Sequence, residues 1–393
     1  MSKSRRNFVK QSSLLAGGVM AAPLLSHAGY FNSVDDTINV ALIGCGGRGT
    51  GAAMQAMLTK QNVKLVAMAD AFKDRLDECY AALNADDLSD WMDVSVNVKD
   101  KIAVTESTRF VGFDAYLKAI PLADVVILTT PPGFRPIHFA EAIKQNKHVF
   151  MEKPVATDPA GIRKVLETAE EQKEKLNVVV GLQRHYQNSY RELLKRVKDG
   201  MIGDITSGQV YWNSEGVWVR QREAGQSEMA YQMRNWYYFN WLCGDHITEQ
   251  HIHNIDVMNW FKGGYPVKAQ GMGGRQVRTG KEFGEIFDHH YVEFEYADGS
   301  IMNSQCRHIK GTYSRVDEVL VGTKGTVFCG AAEIKHNGKT LYAFNRKTEN
   351  DPYQTEHDEL FAALAKGEYK FADAENGAKS TMTSILGRMA TYS

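Results

Sequence analysis

Regular periodicity sets in at about Thr37. The run INVALIG is apolar and β-branched, Gly51 to Lys60 has the spacing of a helix, and NVKLVAMAD reads as a second strand. In AFKDRLDECYAAL, Phe72, Leu76 and Cys79/Tyr80 share one helical face. ADVVILTTPP is a continuous apolar strand, the kind buried on both faces of a parallel sheet. The helix PIHFAEAIKQNK, the strand HVFMEKP, the helix DPAGIRKVLETAEEQKEK and the strand NVVVGLQ continue the alternation. Such repetition predicts an α/β fold, with a Rossmann-type doubly wound parallel sheet and right-handed crossovers over residues 36–185.

After Arg184 the texture changes. RELLKRVKDGMIG is a helix closed by glycine, and SGQVYWNS, HHYVEFEYADGSIMNSQCRH and DEVLVGTKGTVFCG then supply strands in succession. Asp298-Gly299 between two alternating runs signals a hairpin. Residues 186–393 are therefore expected to form an α+β domain with a large, mostly antiparallel open sheet. The helices from Thr355 onward are candidates to pack back on the first domain.

Charge narrows the partners. With 46 Lys+Arg against 47 Asp+Glu the net charge is −1, so no basic field exists to hold nucleic acid or an anionic membrane, and a small molecule is expected. Five scattered cysteines form no CxxC pair and read as buried thiols. Ahead of the periodic region, Arg5 and Arg6 precede Phe8 and Lys10, an apolar run spans Leu14 to Leu25, and Ser26-His27-Ala28 supplies small residues at a cleavage position. Residues 1–28 thus read as a twin-arginine export signal, too short in its apolar part to span a membrane, and the expected location is the periplasm.

Gly44, Gly46 and Gly49 form G-x-G-x-x-G directly after a predicted strand, with Gly47 and Arg48 inside the turn, and Asp70 ends the next strand about 20 residues on. The glycines permit a tight turn and close approach of a pyrophosphate to a helix N-terminus, and the acid accepts from a ribose 2′-hydroxyl. Asp70 repels a 2′-phosphate, which favours NAD over NADP, although Arg48 and Lys73 stand near.

Lys153 emerges from FMEKP at the carboxyl edge of the sheet, where ligands bind in such folds. GDHITEQHIHNIDVMNWF reads as one helix that places Glu249, His253 and Asp256 on a shared face. A lysine and a histidine converging beside a nicotinamide would form a proton-transfer pair for alcohol oxidation. His246, Glu249 and His253 have a spacing that can present two imidazoles and a carboxylate to a metal, as can His246, Glu249 and His251, but no HExxH is present and no metal is expected. His289 and His290 are expected to point to opposite sides of a strand. Five of the six tryptophans fall between residues 212 and 260, together with NWYYFNW, Arg220, Arg222 and Arg234. Aromatic faces with planar donors suit sugar rings, and equally suit a core or a subunit interface.

At these positions the chain resembles the glucose-fructose oxidoreductase, inositol dehydrogenase and rhizopine catabolism family (Gfo/Idh/MocA). The resemblance rests on the glycine turn at 44 to 49, TTPP at 129 to 132, EKP at 152 to 154, the helix carrying His253, and VGTKGT at 321 to 326. It implies that Lys153 and His253 take the catalytic places and that Glu249 takes that of an aspartate four residues before the histidine. Here a longer carboxylate stands in for the aspartate, and His251 stands where the family usually has glycine. The resemblance further implies that Thr130, Pro131, His138 and Glu152 border the nicotinamide. It places Arg184 and His185 on the substrate cleft, with Trp236 and Tyr237 as further candidates, and suggests a homo-dimer or tetramer.

Export and a nicotinamide cofactor are in tension, because outside the cytoplasm there is no free pool to exchange with. Twin-arginine export carries folded proteins, so a dinucleotide can travel locked inside the fold and be recycled in place. Two reactions fit: oxidation of a sugar or glycoside, with a 3-keto-glycoside as a candidate product, coupled to reduction of a second carbonyl compound; or glycoside cleavage by transient oxidation, elimination, hydration and reduction. The exported cleaving relatives tend to lack the lysine of EKP, so Lys153 favours the oxidoreductase. A sugar-binding protein with structural NAD is a third reading, disfavoured by the presence of Lys153 and His253.

Overall fold

The computed structural model describes residues 36–88, 97–171 and 173–393, so the leader read at residues 1–28 lies outside the described residues. The first sheet contains β1 (Ile38–Ile43), β2 (Val63–Asp70), β3 (Arg109–Val111), β4 (Val125–Leu128), β5 (His148–Met151) and β6 (Val178–Val180). All neighbours are parallel, in the order β3-β2-β1-β4-β5-β6. The order reverses between β1 and β4, whose last residues Ile43 and Leu128 are paired, so the loops beginning at Gly44 and Thr129 leave side by side. A crevice at this switch point is the expected ligand position in a doubly wound sheet.

Alternation of side chains sorts β1 onto two cores. Val40 and Leu42 face one with Met54 and Met57 of α1 (Gly47–Leu58), while Ala41 and Ile43 face the other with Phe139 and Ile143. The remaining helices of this domain are α2 (Lys73–Leu83), α3 (Ala115–Ala119), α4 (Arg135–Lys144) and α5 (Pro159–Glu171).

In the second domain, α6 (Asn188–Lys198) leads to an eight-stranded sheet of β7 (Ile205–Ser214), β8 (Lys268–Gly274), β9 (His289–Glu295), β10 (Ile301–His308), β11 (Arg315–Gly322), β12 (Thr326–Phe328), β13 (Glu333–His336) and β14 (Lys339–Ala343). Its order is β14-β13-β12-β11-β7-β10-β9-β8, antiparallel except for the β7/β10 pair. Asp298-Gly299 does form the β9–β10 turn, with Gly299 at φ +80°. Between β7 and β8 lie α7 (Glu228–Arg234), α8 (Asn240–Cys243), α9 (His246–Glu249) and α10 (Ile252–Lys262). Ile255 and Met258 of α10 pack on Val210, Phe294 and Leu320 of the sheet.

The chain closes with α11 (Pro352–Ala365) and α12 (Ala374–Tyr392). Leu360 and Phe361 enter one core of the first domain, and Ala374, Ala378 and Ile385 enter the other. Farther along α12, Gly387 lies against Phe294 of the second sheet, where an added Cβ would come within 2.7 Å of the ring. No helix among the described residues is long and apolar enough to cross a membrane.

The single helix expected over GDHITEQHIHNIDVMNWF is broken. Asp245 sits at φ +69°, α9 ends at Glu249, and the His251 N–H reaches back five residues to the His246 carbonyl at 3.1 Å before α10 begins. His251 is buried with its Nε2 2.8 Å from Ser304 Oγ, which anchors the break in the sheet. Glu249, His253 and Asp256 consequently turn to three different sets of partners.

Candidate active site

Each glycine of the turn meets a different demand. Gly44 has φ +100°, a conformation L side chains rarely adopt, and a Cβ there would lie 2.6 Å from Thr130 N. A Cβ on Gly49 would lie 2.0 Å from the Gly44 carbonyl oxygen, so this position keeps helix and strand in contact. At Gly46 and Gly47 an added Cβ meets nothing within 4 Å. That open space, at the N-terminus of α1, is where a pyrophosphate can approach the backbone.

Asp70 is held in place by two backbone donors, Cys45 N–H at 2.7 Å and Phe72 N–H at 2.8 Å. Burial raises its carboxyl above the ordinary range, and the two N–H groups work in the opposite direction. The turn, Asp70, Thr129, Thr130, Pro131 and His138 line one cavity of about 350 Å³. Its far wall comes from the second domain: Trp218, Arg220, Met233, Arg234 and Trp236. Arg234 fastens that wall with two bonds to Asp74 of 2.7 and 2.8 Å and lies over the Phe72 ring at 4.2 Å. The residues present therefore fit a dinucleotide: an open glycine cradle, an acid at the ribose end and a roofed chamber.

Arg48 is engaged within the protein. Its Nε donates to Glu152 at 2.5 Å, and its other nitrogens reach Glu356 of α11 at 3.1 Å and Gln55 at 2.8 Å. Glu152 is thereby a partner of the turn itself. Lys73 pairs with Asp77 at 2.5 Å on the surface of α2. Thr130 Oγ1 lies 3.1 Å from His138 Nδ1, and burial with the nearby Arg135 charge pushes His138 down to about 3, so its ring is neutral. Arg135 was not singled out from sequence. It is 1% exposed, donates to the Leu128 carbonyl at 2.8 Å and is pulled down to about 10 by burial.

Lys153 follows β5, one strand over from Thr130, and its Nζ donates to the Glu249 carbonyl at 2.6 Å and to Glu249 Oε1 at 3.1 Å. Their side chains are 10% and 11% exposed. Burial raises the Glu249 carboxyl, with Lys153 opposing it. His253 is buried, packs 5.9 Å from the Trp212 ring and leaves Nδ1 without a partner. Burial first, and then the positive charges of Lys153 and Arg184, hold it far below the ordinary histidine range, so it is neutral. A lysine positioned by a carboxylate next to a neutral imidazole can orient a hydroxyl while the imidazole exchanges a proton with it.

Arg184 and His185, expected on the substrate cleft, stand in ion pairs and do not line this cavity. Arg184 is buried against Glu318, which also accepts from Tyr190 at 2.9 Å and Asn254 at 2.6 Å. His185 lies 2.6 Å from Asp256 and stacks on Trp260 at 4.0 Å. Burial alone would lower His185, but Asp256 outweighs it and raises the ring above its ordinary value. Of the aromatic pair, Trp236 lines the cavity, whereas Tyr237 is buried with its hydroxyl unpartnered and stacks 5.8 Å from His308. The sets His246/Glu249/His253 and His246/Glu249/His251 do not assemble, because Glu249 turns to Lys153 and His251 to Ser304.

Residues 38–180 match the Gfo/Idh/MocA oxidoreductase family, NAD-binding Rossmann fold, and residues 190–328 match the Gfo/Idh/MocA C-terminal domain. Among curated proteins the chain is similar to the 2,7-anhydro-N-acetylneuraminate hydratase of Escherichia coli (24% identity, 58% of this chain and 59% of the relative). It is also similar to a glycosyl hydrolase family 109 protein of Solibacter usitatus (27%; 54% and 46%) and to the inositol 2-dehydrogenase of Serratia proteamaculans (27%; 67% and 65%). The chain thus spans roughly half to two thirds of the length of these relatives. The scyllo-inositol dehydrogenase of Lactobacillus casei with NAD(H) and scyllo-inositol bound shares the fold at TM-score 0.65 and 19% identity over 91% of this chain and 97% of that one. The aldose-aldose oxidoreductase of Caulobacter crescentus does so at 0.67 and 16% over 91% and 98%. With both domain matches in order along a two-domain fold that carries the glycine cradle, the chain belongs to the Gfo/Idh/MocA oxidoreductase family.

Proposed function

We propose that the protein is an exported NAD-dependent oxidoreductase that oxidises a hydroxyl of a sugar or glycoside. The observation that carries this reading is the Lys153–Glu249 pair beside neutral His253. These residues and Glu152 stand outside the cavity lining, but Lys153 follows β5, the neighbour of the strand whose end brings Thr129 and Thr130 to the cavity. The nicotinamide, when bound, supplies the hydride acceptor. Gly46, Gly47 and Asp70 would hold the dinucleotide, and Thr130, Pro131 and His138 would border its reactive end. Asp70, fixed by two N–H groups, supports NAD over NADP. Lys153 donates to the substrate hydroxyl and orients it, and the neutral imidazole of His253 takes its proton; Glu249 fixes the ammonium so that the lysine does not swing into solvent. The tryptophan-bearing wall supports a slowly released cofactor, as the leader of residues 1–28 requires if the protein works outside the cytoplasm.

Glycoside cleavage through the same oxidation is the second reading, supported by the similarity to a glycosyl hydrolase family 109 protein and to a hydratase acting on an anhydro sugar. One experiment tests both. Protein purified after export, with no nucleotide added, is mixed with a panel of sugars and glycosides while nicotinamide absorbance and products are followed. Reduction of resident cofactor with a keto-sugar product supports the oxidoreductase, and a released aglycone supports cleavage. Absence of both resident nucleotide and any reaction refutes the proposal.

A further inference from the structure

The second domain contains a buried group of histidines that the nucleotide cavity and the Lys153 site leave unused. Asp245 and His246 precede and open α9, and His290 comes from β9; they are 0%, 0% and 3% exposed. One donor atom from each lies within 4.8 Å of the other two. His290 Nε2 is 3.2 Å and His246 Nε2 is 3.8 Å from Asp245 Oδ1, and neither ring nitrogen is aligned for a hydrogen bond. Ligands about 2.0–2.2 Å from one tetrahedral ion are separated by about 3.3–3.6 Å, and the two spacings to Asp245 Oδ1 lie on either side of that range.

Neighbouring groups hold the three residues in place. Thr391 Oγ1 donates to the Arg388 carbonyl at 2.9 Å and lies 2.9 Å from His290 Nδ1. The opposite ring atom, His290 Nε2, faces the Asp245 carboxylate at 3.2 Å. The other oxygen of Asp245 accepts from Phe287 N–H at 3.0 Å and Tyr392 O–H at 2.7 Å, as outer partners of a ligating carboxylate do. Both ring nitrogens of His246 are buried without a partner. A cation between the three would give His246 Nε2, His290 Nε2 and Asp245 Oδ1 one shared partner.

We propose that Asp245, His246 and His290 form a binding site for a divalent first-row transition metal ion of the zinc class. Two imidazoles and one carboxylate are a borderline donor set suited to such ions and unlike the all-oxygen sets that take calcium or magnesium. The strained backbone of Asp245, at φ +69°, aims the carboxylate at the two rings. Because His246 and Glu249 share the one turn of α9, the ion ties the residue that holds Lys153 to the second sheet.

The test uses the full mature chain. Metal content is measured on protein as isolated, the metal is removed with a strong chelator, and Co²⁺ and then Zn²⁺ are titrated back while the visible Co²⁺ spectrum and the melting temperature are followed. We expect one ion per chain, a ligand-field spectrum of low symmetry, and a rise in melting temperature on saturation. His246→Asn and His290→Ala should each weaken Co²⁺ binding more than 10-fold. His289→Ala, on the opposite side of the same strand, should leave it unchanged. Wild-type protein that binds neither ion and melts identically with metal and chelator overturns the proposal, whether or not the variants fold. Stoichiometric binding that survives in a folded His246→Asn/His290→Ala double variant overturns it as well.

Discussion

Replacing Lys153 with Met separates what the lysine does for the reaction from what it does for the fold. Its Nζ is the cation that faces the buried Glu249 carboxylate, and both side chains are about one tenth exposed. Removing one partner of such a pair strands the other charge at a cost of about 3–5 kcal/mol. Glu249 can escape by taking a proton. Against an ordinary carboxyl value of about 4.3, that proton costs about 1.6 kcal/mol at about pH 5.5 and about 5 kcal/mol at about pH 8. Burial already raises Glu249 in the intact protein, and loss of the lysine raises it further, so the folded state holds a proton that the unfolded state has lost. Stability is then lost as pH rises above the ordinary carboxylate range. Urea unfolding of Lys153→Met should show a penalty of about 1–2 kcal/mol at about pH 5.5 that grows to about 3–5 kcal/mol at about pH 8. Adding Glu249→Gln should abolish the growth and recover most of the loss at the higher pH. Oxidation of substrate by resident cofactor, followed in a single turnover, should fall by about 10²–10⁴ in the single variant and stay there in the double. A penalty independent of pH, or a double variant no more stable than the single, refutes the electrostatic reading of the pair. Activity regained in the double variant refutes a role for Lys153 in orienting the hydroxyl for proton transfer.

Other outcomes follow from the same geometry. Gly46→Ala, whose Cβ meets no protein atom, should leave the melting temperature unchanged and weaken NAD binding in a fluorescence titration. Gly49→Ala, whose Cβ falls 2.0 Å from the Gly44 carbonyl, should destabilise by at least about 1–3 kcal/mol. Asp70→Ala should cost NAD about 1–3 kcal/mol of affinity and narrow its preference over NADP, as read from paired titrations. Arg184→Met strands Glu318 and should lower unfolding free energy by about 3–5 kcal/mol in urea, with KM for the sugar little changed in the protein that remains folded. Because burial holds His253 far below its ordinary value, the pH profile of kcat/KM should have no inflection from this residue near about 6.5; one that disappears in His253→Ala would show the ring to be more polar than its surroundings indicate.

What could be read from sequence is what local chemistry decides. Gly44, Gly46 and Gly49 announce themselves because a turn, an approach and a close contact each exclude a side chain. Asp70 and Lys153 stand at strand ends whose apolar runs are unmistakable. The break before α10 was not legible, since no Gly or Pro marks Gln250 and His251; it follows from His251 docking on Ser304 of β10. Likewise Arg48 is adjacent to the turn in sequence, but its partner Glu356 comes from α11. Arg184 carries no sign in the sequence of its partner, Glu318 of β11. In each case the deciding neighbour is supplied by closure of the second sheet or by the returning helices, which periodicity does not encode.

The return of α11 and α12 to the first domain also sets the order in which the molecule can be completed. Leu360, Phe361, Ala378 and Ile385 fill cores whose strands leave the ribosome well before them, and Glu356 reaches Arg48 in the nucleotide turn. A nascent chain that has finished all six strands of the first sheet therefore still exposes apolar surface on both of its faces. Its glycine turn also lacks one of the carboxylates that hold it. Stable cofactor capture is thus a late event, possible once the second sheet has been made and passed. A fragment that ends before Pro352 should accordingly be insoluble or devoid of nucleotide.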